Sequence, residues 1–334
     1  MADLPFRDLA KLQQSRFDAF ETQQNVIDRI LLRNYKAAYE ETIGQMAKLY
    51  AKVGLKSPVD GMSIRKEDAI RYNQFQNRLD NLAAEMKGLR ARGVRLTEET
   101  SAQAVQDAYY GGQWAFEQAV SVPLPIPALP ISVIRAAVYS DVSGLDLVKT
   151  WDKNTIDGIY KTQAAMMRGL TQGYSYAKMA RAIKDEFDKG LWQAMRVIRT
   201  EAGRCWSVGA EEAHEAAIEA GLQVRKRWSH EIGLIGRKDR PAHGHLDGTY
   251  ADENGLFWSN GYSAPRPRLF GVAKEDINCA CDAYDVLDGI TPEVRRIRND
   301  SGKGSEILPY QTFEQWAISK GWTAEKGWPK IALK

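Results

Sequence analysis

From Ile27 onward, apolar positions recur at Leu31, Tyr35, Tyr39, Ile43, Met46 and Tyr50. Steps of four and three set these residues on one face of a helix. The pattern stops at GLKSPVDGMS, residues 54–63, where proline and glycine interrupt it. Phe75, Leu79, Leu82, Met86 and Leu89 then mark a second helix. Their alternation is that of a coiled-coil seam, but it lasts only about two heptads, which predicts antiparallel packing inside a bundle. Thr97, followed by Glu98 and Glu99, has the chemistry of an N-cap and an acidic first turn, and predicts that a third helix starts there.

The segment VPLPIPALP, residues 122–130, breaks the helical pattern. Its prolines, at alternate or near-alternate positions, forbid a helix and favour extended backbone. The residues between them are apolar, which predicts a strap packed along a domain surface. A proline-rich ligand for a partner's groove is the alternative. Helical patterning resumes at 154–170, turns at Gly173, and restarts with Ser175 as a cap for a helix to about Lys189. Another long helix is expected from about Leu191 to Gly221. Trp192, Met195, Arg199, Ala202, Trp206, Gly209 and Ala213 recur on one stripe of it, and Gly221 is its stop.

The period then changes to two. Leu222, Val224, Lys226 and Trp228 alternate as in a strand, and residues 230–290 are rich in Gly, Pro, Asp and Asn. The expected fold class is mainly α with a small α+β region: a helical N-terminal half, then a long helix leading into a short-stranded, loop-rich C-terminal domain. The divisions expected are a helical region at 1–121, the strap at 122–135, a domain at 136–290 and an extension at 291–334.

Composition narrows the class of function. Among 334 residues, 44% are hydrophobic and 27% charged, enough apolar material for a real core. The net charge of +3 is too mild to imply nucleic-acid binding by itself. Short basic clusters do occur at Arg225-Lys226-Arg227, Arg237-Lys238-Arg240 and Arg295-Arg296-Arg298. Three cysteines, two of them one residue apart, suit a reducing compartment better than a disulfide framework. MADLPFRDLAKLQQ has no apolar core of signal-peptide type, and no run is long enough to span a membrane. These features predict a protein made and kept in a cytoplasm, or in something assembled there.

The candidate chemistry lies in DRPAHGHLDG, residues 239–248, and INCACD, residues 277–282. In extended backbone, residues i and i+2 point the same way, so His243 with His245, and Cys279 with Cys281, would each present two donors together. Two imidazoles and two thiolates suit tetrahedral zinc, although the spacing is narrower than the usual CxxC. Buried or redox-sensitive cysteines beside hydrogen-bonded loop histidines are an alternative. So is mixed ligation by one histidine, both cysteines and Asp239 or Asp247. A catalytic zinc would need a base, and Glu231, Asp239 and Asp247 are candidates by proximity. No HExxH, HxE with PCxxC, GxSxG, P-loop or dinucleotide fingerprint is present, and nothing local supports Cys205 or Cys279 as a nucleophile, so no catalytic residue is assigned. In RTEAGR, residues 199–204, Arg199 shares the apolar stripe and needs a partner. Glu201 lies about 200° round the helix and cannot serve locally, which predicts an ion pair with the β region or an anion site.

Taken in order, GLTQGYSYAKMARAI, RVIRTEAGR, KRWSH, DRPAHGHLDG and INCACD resemble the phage Mu F-like minor head proteins, also called phage head morphogenesis proteins. The matching positions are Gly173 and Ser175; Arg199, Thr200 and Glu201; Trp228; Arg240, His243, Asp247 and Gly248; and Asn278, Cys279 and Cys281. The resemblance runs over residues 150–285, and YQTFEQWA, residues 310–317, is similar to a tail seen in many members. Ala280 stands where the family usually has arginine, and His245 is not one of its positions. A metal site shared with the family would therefore lean on His243, Cys279 and Cys281. The resemblance makes residues 136–290 a Mu F-like domain.

It implies a structural, non-enzymatic role inside the procapsid and virion, at the portal vertex, in few copies, with assembly in the host cytoplasm. The implied partners are the portal protein, the major capsid or scaffolding protein, and DNA bound weakly. The helical N-terminal half suits docking on a partner's helices. The alternative is a zinc-dependent hydrolase or nuclease, or a toxin-like effector, using the His/Cys cluster. Only about fifty residues follow INCACD, too few for an independent effector domain, so an enzyme would have to use the family domain itself. A cytoplasmic nucleic-acid binder is a third class, disfavoured by the near balance of charge.

Overall fold

A computed structural model describes residues 8–53, 55–57, 61–63, 69–141, 146–230, 240–291 and 310–321. Long helices dominate: α1 (Leu9–Val53), α2 (Ala69–Val120), α3 (Ile131–Tyr139), α4 (Leu147–Thr171) and α5 (Tyr176–Glu219). A small hairpin, β1 (Leu55–Ser57) with β2 (Gly61–Ser63), joins α1 to α2. The C-terminal part holds β3 (Leu222–Ser229), α6 (Pro241–Gly244), β4 (Phe257–Ser259), β5 (Tyr262–Ala264), α7 (Ala273–Asp276), β6 (Asp282–Ile290) and α8 (Phe313–Ser319). The fold is mainly α with a small α+β region, as the patterning predicts.

The chain divides into two compact units, each discontinuous in sequence. One comprises residues 25–96 and 145–197; the other comprises 1–24, 97–144 and 198–334. Helices α1, α2 and α5 thus contribute to both. In the first unit, Leu31, Met46 and Tyr50 of the predicted stripe are buried, and Tyr35, Tyr39 and Ile43 pack at the rim of the core. The seam residues Phe75, Leu79, Leu82, Met86 and Leu89 meet them, joined by Met166, Met179, Ile183 and Phe187. Gly173, at φ 63°, makes the turn after α4, and the Ser175 hydroxyl accepts the Lys178 N–H at 3.4 Å to start α5. Helix α4 begins at Leu147, before the first periodic residues at 154, because Asp146 caps it by accepting the Lys149 N–H at 2.7 Å.

Helix α1 starts at Leu9, before the first periodic residues at Ile27, and its first turns bury Phe17 and Phe20 in the second unit. Three expectations are corrected. Thr97 is no N-cap: it lies inside the 52-residue α2 and is fully buried. No proline interrupts residues 89–96, so the helix continues, and Glu98 accepts the Tyr139 hydroxyl at 3.0 Å instead of facing a helix end. Helix α5 likewise runs through Gly190 without a break. A Cβ there would come within 3.1 Å of the Tyr35 ring, so glycine serves close packing rather than a turn. Trp192 is 58% exposed, because Leu191 and Ala194 carry the covered face at that level.

In the second unit, Phe20 stacks on Trp206 with ring centroids 4.7 Å apart, and Gly209 lets α5 approach the backbone of α2 at Val105. The strap buries Val122, Leu124 and Leu129 and turns its prolines outward. The Tyr109 hydroxyl donates to Pro127 O at 2.7 Å, and Glu117 accepts the Leu124 N–H at 3.2 Å, so extended backbone that cannot form a ladder still finds partners. Helix α8 is fixed by a Thr312–Gln315 capping box. It buries Trp316, whose Nε1 donates to Glu117 at 2.8 Å.

Strand β3 pairs antiparallel with β6, from Leu222 opposite Ile290 to Ser229 opposite Asp282. The predicted alternation holds, yet one inward position is a charge: Lys226 is buried against Glu211. Glu211 also accepts from Arg266 Nε at 2.8 Å. Arg266 reaches Asp285 at 3.2 Å, and Asp285 takes His214 at 2.7 Å and Gln13 at 2.8 Å. Burial would raise the Asp285 pKa, but Arg266 and His214 outweigh it and hold the carboxyl at about 2. This buried polar network ties β6 to α5 and to the start of α1.

Candidate functional site

His243 lies in α6, a single turn started by Pro241 at its first position. The backbone there is helical rather than extended, so His243 and His245 diverge. His243 is fully buried and His245 is exposed, which corrects the expectation that the two share a face. The cysteines do converge. Cys279 and Cys281 are both buried, and their sulfurs lie with His243 so that the three ligand atoms are within 4.8 Å of one another. His243 Nδ1 is 3.4 Å from Cys279 Sγ and 3.7 Å from Cys281 Sγ.

The sequence reading missed His230, at the end of β3. Its Nδ1 is 3.2 Å from Cys281 Sγ. A usable signal was present: the strand pattern ends one residue earlier, with Trp228 pointing inward, so His230 falls on the same side of the backbone.

The other face of His243 is held by a carboxylate. Its Nε2 lies 2.8 Å from Glu275, which also accepts Ser259 Oγ at 3.0 Å and Asn260 Nδ2 at 2.9 Å. Trp228 meets the His243 ring edge-on at 5.4 Å and Phe270 stacks on it at 5.9 Å, so the imidazole has one orientation. Charge in the cluster is strongly perturbed. A hydrogen bond from Cys281, with His243 and Arg268 nearby, holds the Cys279 thiol well below its ordinary value against the effect of burial. Burial pulls His243 down, but Cys279 and Glu275 outweigh it and the net shift is upward.

The remaining motif residues hold this arrangement in place. Thr200, in α5, accepts the Asn278 N–H at 3.0 Å, and Asn278 takes φ 60° to swing the chain into Cys279. Arg240 Nε donates to Lys274 O at 2.8 Å and its Nη2 to Ile277 O, clamping α6 to the turn before the cysteines. Asp247 accepts the His230 N–H at 2.9 Å, and Gly248, at φ 74°, donates its N–H to Trp228 O at 3.0 Å. Gly203 makes room for Arg268, since a Cβ would lie 2.9 Å from its Cδ. Arg268 in turn donates to Ser207 Oγ at 3.2 Å and lies beside Asp282. Inside RTEAGR the local ion pair is Glu201 with Arg204 at 2.8 Å, a spacing of three residues; Arg199 is buried. Ion pairs from α5 to the β region run through Glu211, to Lys226 and Arg266, and through His214, to Asp285.

Cys205 is fully buried and its thiol is pushed up to about 11, which removes it as a nucleophile. Glu231, Asp239, Arg237, Lys238 and the cluster at 295–298 lie outside the described residues. Among the described residues, no helix is long and apolar enough to cross a membrane.

Fold and site together define a helical scaffold whose small β region is knitted onto one long helix around a buried His/Cys cluster. Residues 160–284 match the family model described as "Phage Mu protein F like protein". It is 32% identical over 302 residues to NAD(+)--arginine ADP-ribosyltransferase EFV of Enterococcus faecalis (strain ATCC 700802 / V583), a match over 88% of this chain and 61% of that protein. It is 25% identical over 258 residues to Minor head protein GP7 of Bacillus phage SPP1, over 76% of this chain and 81% of that protein. No solved structure gives a significant match.

Proposed function

We propose that this chain is a phage head morphogenesis protein: a non-enzymatic minor component of the virion that associates with the portal inside the procapsid and aids head assembly. The observation that carries this reading is the convergence of the family motifs. Thr200, Arg240, Asp247, Gly248 and Asn278 are each spent on fixing backbone around one buried cluster. That is the economy of a structural domain, in which the motif specifies a fold rather than a reacting centre. The match to a phage minor head protein over most of its own length points the same way. Handling of packaged DNA is a further part of the proposal, resting on the family resemblance rather than on charge.

The second reading is an ADP-ribosyltransferase, favoured by the 32% identity to a protein of that name. The chain spans 61% of that relative's length, and the matches to it and to the minor head protein cover 88% and 76% of this chain, so they overlap over much of it. Two assays separate the readings. Purified procapsids and virions are expected to contain the chain, and it is expected to co-purify with the portal protein. Incubation with labelled NAD(+) and an arginine-containing acceptor is expected to transfer no label. Absence from virions and failure to bind the portal would overturn the first reading, and labelling of the acceptor would establish the second.

A further inference from the structure

We propose that His230, His243, Cys279 and Cys281 form a closed tetrahedral zinc site that locks the β region together. The site goes beyond the assembly role and does not depend on it. Three donors of the borderline-soft class, from helix α6 and the loop before β6, lie with their ligand atoms within 4.8 Å of one another, and a fourth, at the end of β3, stands 3.2 Å from the Cys281 sulfur. With zinc–sulfur and zinc–nitrogen bonds of about 2.3 and 2.0 Å, a tetrahedral ion sets sulfur and nitrogen roughly 3.5 Å apart. The His–Cys separations of 3.2, 3.4 and 3.7 Å bracket that figure. Both histidines present Nδ1 to the sulfurs.

The surroundings match what a metal-bound imidazole needs. Glu275, itself fixed by Ser259 and Asn260, takes the Nε2 side of His243, which selects the tautomer that leaves Nδ1 free for a metal. Asp247 fixes His230 through its backbone N–H, and Arg240 fixes the loop that delivers the cysteines. Four protein donors leave no open position for substrate, so the site is structural rather than catalytic. Its effect is to join segments distant in sequence in a region whose strands are short. The HGH pair that attracts attention in the sequence contributes only His243.

The full-length protein, purified without added metal and without a histidine tag, is expected to carry one zinc per chain by mass spectrometry of metals. Zinc K-edge absorption is expected to give a shell of two sulfurs and two nitrogens. Replacement by cobalt(II) is expected to give the intense visible bands of a tetrahedral site with thiolate ligands. His230→Ala is expected to weaken metal affinity by about tenfold or more and to alter the cobalt spectrum, while His245→Ala leaves both unchanged. Glu275→Gln is expected to keep the spectrum and lower affinity by about 10–100-fold. A wild-type protein with no zinc, and two freely titrating thiols at Cys279 and Cys281, overturns the site. Zinc with a single nitrogen in its shell, or a His230→Ala protein with unchanged affinity, overturns the assignment of His230. These readouts on the wild-type protein decide the matter even where a variant does not fold.

Discussion

Replacing Gly209 by alanine adds one methyl group where α5 crosses α2. That methyl would stand 2.1 Å from the carbonyl oxygen of Val105 and 2.9 Å from its carbonyl carbon. Contacts to a backbone cannot be relieved by rotating a side chain, so the two helices must part by about 1 Å across a close-packed interface. Overpacking of this kind costs about 1–3 kcal/mol, and a clash with backbone belongs at the upper end. Against it stands the gain of about 1 kcal/mol from alanine over glycine in a helix. The net expectation for Gly209→Ala is a loss of about 2 kcal/mol. Gly44 supplies the control: it is exposed in α1 and a Cβ there meets nothing within 4 Å. Gly44→Ala should therefore stabilise by roughly 0.5–1 kcal/mol. At about 2–4 °C per kcal/mol, thermal unfolding followed by circular dichroism should place the variants on opposite sides of the wild type. A Gly209→Ala protein that melts at or above the wild-type temperature would refute the close crossing, and with it the packing assigned to α2 and α5.

Three further outcomes are expected. Asp285→Asn leaves Arg266 buried beside a neutral amide, so stability at pH 7 should fall by about 3–5 kcal/mol in urea titrations. Because the folded Asp285 pKa is depressed to about 2 from the ordinary carboxyl value of 3.8, the carboxylate's contribution is full above pH 3.8 and fades as pH falls toward 2. The gap between wild type and variant should narrow over that window, and a gap that widens there contradicts the network. Thr200→Val removes the acceptor of the Asn278 N–H while keeping shape, and should cost about 1–3 kcal/mol, with Thr200→Ser close to wild type; equal melting of all three would show that the contact is dispensable. Trp316→Ala should release the α8 segment from Glu117 and cost about 3–5 kcal/mol, detectable as faster proteolytic cleavage within residues 310–321; an unchanged cleavage pattern would mean that α8 is not held by this side chain.

Periodicity made the long helices legible wherever apolar residues recur at helical spacing, as from Leu31 to Tyr50 and from Phe75 to Leu89. It failed at helix ends for identifiable reasons. Residues 9–26 are polar except for a few positions such as Phe17 and Phe20, too sparse to form a stripe. Thr97 and Gly190 carry the chemistry of a cap and a break, but each sits where neighbouring helices cover the backbone, and packing outweighs local preference. At the site, Cys279, Cys281 and His243 were readable from type and spacing. His243 and His245 do not share a face, because Pro241 sets a helical turn where their spacing predicts extended backbone.

By itself, the sequence determined the fold class, the extended backbone of the proline-rich segment, the β3 alternation and the likeness to a known family, since each rests on local pattern or on an ordered set of motifs. Only the tertiary structure decided that His230 rather than His245 approaches Cys281, that Glu275 backs His243, and that Arg266 and Asp285 form a buried network. The partners in these interactions are 19 to 51 residues apart along the chain. No periodicity encodes such pairings. For His230 and Cys281 the cause is the antiparallel register of β3 and β6, fixed along eight residue pairs, which brings the end of one strand beside the start of the other.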